Sequence, residues 1–213
     1  MSAEPEDDEP APEPPANLWE RLRADPIRAP EYIALAAAQS HAPAAAKWAE
    51  RRRRVFGTRS KLLGEMARRR HATLASFEGA ATGVGGIVTL VPDLVGLAWI
   101  QSRMVFFIAA AYGYDPHDPM RPAELLVLNG LYPDPESARA ALDGIGKTVA
   151  EAYIGSKLQR EEALAKRLAL MVSKSAGKKF GRWIPGFAIA FNAVSNRRDT
   201  NALARRAIKF YGG

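Results

Sequence analysis

Residues 79–114 read GAATGVGGIVTLVPDLVGLAWIQSRMVFFIAAAYGY, and this stretch decides the fold. Its first part, Gly79 to Val91, is dominated by small residues. Gly79 and Gly83 are four apart and share a helix face, and Gly86 follows three later. Small residues at that spacing let another helix backbone approach closely. A glycine in a helix interior costs up to about 1 kcal/mol relative to alanine, so four of them need such a compensating contact. Pro92-Asp93 is expected to break this helix and cap the next. The second part runs through Leu97, Trp99, Ile100, Met104, Phe106, Phe107 and Ile108 to Tyr112-Gly113, interrupted only by Asp93, Gln101, Ser102 and Arg103. A helix apolar nearly all round is either central to a bundle or inserted in lipid. The 22 residues from Gly79 to Ile100 carry one charge and nominally have the length to cross a bilayer. Pro92-Asp93 divides them into halves too short to cross singly. The expected arrangement is therefore a hairpin at the centre of a helical bundle, with shallow or re-entrant membrane insertion as the alternative.

Working outward, the punctuation is helical throughout. Pro30 suits the first turn of a helix through Tyr32, Ile33 and Leu35, and Pro43 and Gly57 are expected to break the stretch that follows. Thr58 is a candidate cap for a helix through Leu62, Leu63, Met66 and Leu74. Asp118-Pro119 and Asp134-Pro135 each pair an N-cap acceptor with proline, predicting helices near 119–130 and 135–155. Residues 157–175 are rich in strong helix formers, and Asp199 is placed to start a last helix ending at Gly212. There is no β-branched alternation long enough for a sheet. The fold expected is all-α: a multi-helix bundle around the Gly-rich apolar hairpin.

The charge is polarised along the chain. Residues 1–16 hold six acidic side chains, five prolines and no basic residue, the composition of a disordered tail. Without those six, 30 basic residues face 17 acidic ones, so residues 17–213, expected to form a single domain, carry +13. Such a body attracts nucleic acid, anionic lipid or an acidic protein surface. There is no cysteine, which excludes disulfides, thiolate metal sites and cysteine nucleophiles. The acidic, Pro-rich start is the reverse of a secretory signal, so the chain is expected in the cytoplasm or at its membrane face.

Gly79-Ala-Ala-Thr-Gly-Val-Gly-Gly, then Pro92-Asp93-Leu94, Gln101, and the string from Ala109 through Tyr112-Gly-Tyr-Asp-Pro-His-Asp-Pro119 together resemble the EcsC protein family. The resemblance covers roughly residues 60–210, with a looser match from Ile184-Pro185-Gly186 to Asn192 and Asn196. It implies a helical accessory protein of a bacterial ABC-transporter operon, with membrane association and no established reaction.

Motifs for chemistry are sparse. Asp143-Gly-Ile-Gly-Lys147-Thr148 lacks the first glycine of a phosphate loop, where Ala141 stands, and lacks a preceding strand, so no nucleotide site is expected. His41, His71 and His117 have no partner at metal-ligand spacing and read as surface histidines. There is no Gly-x-Ser-x-Gly elbow for a serine nucleophile. Asp115 and Asp118 read as turn and cap residues. No cofactor and no metal is expected. The candidate polar site is Asp93, Gln101 and Arg103. Asp93 is the one carboxylate of the hairpin and doubles as a helix cap. Gln101 and Arg103 project to nearly opposite sides of their helix, which keeps them from forming a compact pair.

The basic features are stronger. Arg51, Arg52, Arg53 and Arg54 form one cluster, Arg68, Arg69 and Arg70 a second, and Lys178, Lys179 and Arg182 a third. In the last helix Leu203, Ala207, Phe210 and Tyr211 fall on one arc, with Arg205, Arg206 and Lys209 opposite. A basic helix with an apolar face suits a membrane surface, and it equally suits packing on its own bundle. No nucleic-acid module or aromatic stacking platform accompanies the arginines. The expectation is a non-enzymatic helical protein held peripherally to an anionic membrane or a membrane complex. The alternatives are a soluble interaction module for an acidic partner, and an enzyme of unknown class with a site near Asp93.

Overall fold

The computed structural model describes residues 13–25, 28–81, 90–145 and 197–213. These residues hold seven helices and no strand: α1 (Ala16–Ala24), α2 (Ala29–Phe56), α3 (Ser60–Ala81), α4 (Leu90–Ala111), α5 (Arg121–Leu128), α6 (Pro135–Leu142) and α7 (Arg197–Gly212). The fold is all-α, as its sequence pattern predicts. Of the tail expected over 1–16, residues 1–12 lie outside the described residues and Ala16 already opens α1. The helix expected over 157–175 and the close packing expected around Gly83–Gly86 also lie outside the described residues.

The second half of the apolar stretch is the centre of the bundle. Every residue of α4 from Ala98 to Ala111 is buried. Three helices enclose it. α2 runs parallel to it, setting His41 against Trp99 and Trp48 against Phe107. α3 runs antiparallel, with His71 edge-on to Phe107. α7 is again parallel, pairing Thr200 with Gln101 and Gly212 with Tyr112. A helix apolar on all faces is thus satisfied by protein on all faces. Among the described residues no helix is long and apolar enough to cross a membrane.

α2 corrects one sequence expectation. Pro43 does not break it; the helix runs 28 residues with Pro43 inside. Proline removes the hydrogen bond to the carbonyl four residues earlier, that of Gln39. Gln39 and Pro43 are both exposed, so the freed carbonyl faces water. The opposite face carries Ala37, His41, Ala45 and Trp48, all buried, and that packing holds the helix through the interruption. α1 adds Leu18 and Leu22, four apart and buried, and places Arg21 4.2 Å above the Tyr32 ring.

The helix ends are fixed by local chemistry. α4 closes on Gly113, whose φ is +95°, with Gly113 N–H bonded to Ala110 O and Tyr114 N–H to Ala109 O. That is a Schellman ending, and its left-handed position favours glycine. Asp134 caps α6 as expected, accepting from Ser137 N at 2.7 Å. α6 nevertheless ends at Leu142 rather than continuing to 155, because Gly144 turns the chain at φ +77°. Asp118 is a turn residue: it accepts from Met120 N at 2.8 Å, and α5 starts at Arg121. Pro92-Asp93 lies within α4 as described, Leu90–Ala111, not ahead of it. α3 begins at Ser60, two residues beyond Thr58, and α7 as described runs Arg197–Gly212 with Asp199 inside it.

Candidate functional site

Three groupings of polar residues stand out. The first surrounds α4. His41 and His71 are both fully buried, not on the surface as the sequence suggested. They sit on the apolar faces of α2 and α3, with the Arg103 guanidinium 4.8 Å from the Phe107 ring that His71 also meets. Burial drives both imidazole pKa values down to about 3, and the positive charge of Arg103 pushes the same way. Both rings are therefore neutral at pH 7. His71 Nδ1 lies 2.8 Å from Ala67 O, so the proton is on Nδ1. Neither ring nitrogen of His41 has a hydrogen-bond partner among the described residues. Helical period would have found both: His41 lies four after Ala37 and seven before Trp48, and His71 lies four after Ala67.

Gln101 and Arg103 diverge as expected. Gln101 Nε2 donates to Thr200 Oγ1 at 3.2 Å, toward α7, whereas Arg103 faces the aromatic cluster. Asp93 belongs to α4, but its side chain lies outside the described residues. The candidate trio is thus not assembled among the described side chains. Among the described residues there is no cluster of three or more His, Asp or Glu able to hold a metal.

The second grouping joins the α4–α5 turn to α7. Arg121, almost wholly buried, bonds Glu124 and approaches Asp118 Oδ2 at 3.3 Å. Tyr211 donates to Glu124 Oε2 at 2.7 Å. The Arg121 guanidinium lies 5.1 Å from the Tyr114 ring and 5.6 Å from that of Tyr211. Burial raises the Glu124 pKa against the opposing pull of Tyr211 and Arg121. The Tyr211 phenol is raised by the same burial and by the Glu124 carboxylate beside it. Tyr132 repeats the pairing, donating to Glu31 Oε1 at 2.7 Å. Sequence reading put Tyr211 on an apolar face and missed its polar end. The Arg121–Glu124 spacing of three on one helix was the available signal.

The third grouping is the basic surface, and its members divide. Arg53 donates to Ala110 O at the end of α4, and Arg206 Nε donates to Leu128 O at 2.9 Å at the end of α5. Both satisfy carbonyls that a helix terminus leaves open. Arg68 bonds Glu65 at 2.8 Å and reaches Asn201 of α7 at 2.6 Å. Arg52 is half-buried, 5.9 Å from the Phe56 ring, and Arg70 is also half-buried. Arg51, Arg54, Arg69, Arg205 and Lys209 are exposed, Arg54 in an exposed pair with Glu50. Lys178, Lys179 and Arg182 lie outside the described residues. Phe210, expected on the packed arc, is 41% exposed; α7 buries Thr200, Leu203, Ala204, Ala207 and Tyr211 against α3, α4 and α5 instead.

Exposed Arg51, Arg54, Arg59, Lys61 and Lys209 lie toward one end of the bundle. The Tyr112 ring lies between Gly64 of α3 and Gly212 of α7, so close that a Cβ added at Gly64 would stand 2.8 Å from Cε2. The ends of α2, α4 and α7 and the start of α3 therefore meet there. From Arg51 to Lys61, across the α2–α3 turn, there are six cations and no carboxylate. Two large apolar side chains, Val55 (65% exposed) and Leu62 (40% exposed), flank that turn in the open.

The EcsC protein family matches residues 32–212, from early α2 to the end of α7. The chain belongs to the EcsC protein family. The match takes in the Tyr211–Glu124 pair and the whole basic end, and begins one residue after Glu31. Within the curated proteins, this EcsC chain is similar to YdbA of Bacillus subtilis (strain 168), an uncharacterised protein, at 27% identity over 143 residues. Those residues are 64% of this chain and 51% of YdbA, so the chain spans about half the length of that relative. No solved structure matches the EcsC chain.

Proposed function

We propose that this EcsC-family protein is a non-enzymatic helical protein that associates peripherally with an anionic membrane, from the cytoplasmic side. The observation that carries the proposal is the α2–α3 turn, where six cations occur within eleven residues without one carboxylate. Each cation near an anionic bilayer contributes about 1 kcal/mol, so such a cluster supplies reversible, salt-sensitive binding. Insertion of α4 is not part of the proposal, because Ala98–Ala111 is already covered by protein. The buried carboxylates Glu31 and Glu124 bind tyrosines, which supports a structural rather than a catalytic use of the polar interior.

Flotation of the purified chain with phosphatidylcholine vesicles, with and without phosphatidylglycerol, tests this reading. The protein is expected to float only with the anionic lipid and to be released by high salt, which screens exposed charges. Failure to float with either lipid would exclude membrane association and leave an acidic protein partner as the reading to pursue.

A further inference from the structure

We infer that the chain docks end-on: the α2–α3 turn enters the headgroup region of an anionic bilayer, and the helices stand away from the surface. This rests on the membrane reading above and adds the contact surface and the orientation. α2 and α3 are antiparallel and joined by only Gly57, Thr58 and Arg59, so the chain reverses there in a short exposed turn at the tip of the two helices. Val55 and Leu62 are exposed on either side of that tip, among exposed Arg51, Arg54, Arg59 and Lys61. Lys209 and Phe210, both exposed, lie near the end of α7, which the Gly64–Tyr112–Gly212 contact brings to the same end.

Asp115, exposed on the α4–α5 turn, accepts from His117 N at 2.9 Å, and three other carboxylates near the tip lie beside arginines. Glu50 pairs with Arg54 and Glu65 with Arg68, and on the neighbouring turn Asp118 approaches Arg121. The net field there is positive. Exposed apolar side chains interleaved with cations match the layered chemistry of a bilayer, phosphates outside and acyl chains beneath. A fluid surface needs no complementary pocket. The bilayer is therefore the occupant the geometry favours.

The absence of native cysteine makes a direct test available. Single substitutions Val55→Cys, Leu62→Cys and Lys209→Cys, and Gln39→Cys as a control, are made in the full chain and labelled with an environment-sensitive fluorophore. All four positions are exposed, so labelling leaves the core intact. Gln39 is sixteen residues from Val55 on the same helix, roughly 24 Å at 1.5 Å per residue. With phosphatidylglycerol-containing vesicles, labels at 55 and 62 are expected to shift to the blue and be quenched by brominated lipid, with a smaller change at 209 and none at 39. Equal shifts at 39 and 55 would overturn end-on docking in favour of side-on docking. Flotation with no shift at 55 or 62 would place the contact elsewhere and overturn it too. If wild-type protein does not float at all, the membrane reading itself fails, and this inference with it. As a second arm, the Val55→Glu/Leu62→Glu double variant is expected to bind vesicles roughly tenfold more weakly with unchanged stability, from loss of apolar insertion. Unchanged binding would count against the inference.

Discussion

Tyr211 and Arg121 converge on one oxygen, Glu124 Oε2: the phenol donates to it at 2.7 Å from α7 and the guanidinium from α5. α7 is thereby fastened to α5 by a buried, charge-assisted bond rather than by apolar packing alone. Removing only the hydroxyl, with Tyr211→Phe, leaves the Arg121–Glu124 pair without its second donor. The expected cost is about 1–3 kcal/mol, as for hydrogen bonds to charged groups, seen as a lower urea midpoint at unchanged m-value. No change in midpoint would mean that water replaces the phenol.

The Gly64–Tyr112–Gly212 sandwich gives a prediction with a decided sign. At an open helical site Gly→Ala stabilises by about 1 kcal/mol. At Gly64 the new Cβ would stand 2.8 Å from the Tyr112 ring. Gly64→Ala is therefore expected to destabilise, by about 1–3 kcal/mol from overpacking. In the background of Tyr112→Leu the same substitution is expected to lose most of its penalty. A double-mutant cycle in urea reads the coupling directly.

Pro43 predicts the reverse. It lies inside α2 on the solvent face and removes the hydrogen bond to the Gln39 carbonyl. Pro43→Ala restores that bond. Allowing for the greater freedom of the unfolded chain, it is expected to stabilise by about 1–2 kcal/mol, checked by thermal melting.

His41 and His71 set the pH dependence. Their folded pKa values, about 3, lie below the ordinary value of 6.5, so the unfolded chain binds more protons as pH falls. Their contribution is complete above pH 6.5 and is lost progressively as pH drops from there toward 3. With both protonating on unfolding, the slope approaches about 2.7 kcal/mol per pH unit. The urea midpoint is expected to be flat from pH 7 to 8 and to fall steeply below 6. The imidazole NMR signals are expected to stay in the neutral range at pH 5.5. Arg103→Leu removes a charge that lowers both pKa values, and is expected to destabilise at neutral pH while making the acid slope shallower. Unchanged stability in a urea melt would contradict the packed role of Arg103.

Much of the architecture was legible in the sequence because its signals are local. The apolar circumference of 97–108 marked a central helix, and Asp134-Pro135 marked a start. What was missed depends on tertiary context. Pro43 reads as a breaker until its face is known to be solvent. His41 and His71 read as surface residues until Trp99 and Phe107 come to rest against them. Arg53, Arg68 and Arg206 look like members of charge clusters, but their partners are 57, 133 and 78 residues away in sequence. Phe210 falls on the helix arc that pattern alone assigns to the core, yet α3, α4 and α5 reach only its neighbours. Of the cations at the α2–α3 turn, Arg51, Arg54, Arg59 and Lys61 stay exposed, Arg54 beside Glu50 one helical turn away.

The most direct test of membrane association is vesicle partition of the wild type beside the Arg51→Gln/Arg54→Gln/Arg59→Gln/Lys61→Gln variant, with urea stability measured on both. All four side chains are exposed, so equal stability is expected. Partition into phosphatidylglycerol-containing vesicles is expected to fall by about 1 kcal/mol per cation removed, from clear binding to background. Equal partition of the two proteins, or no binding by the wild type, would contradict it.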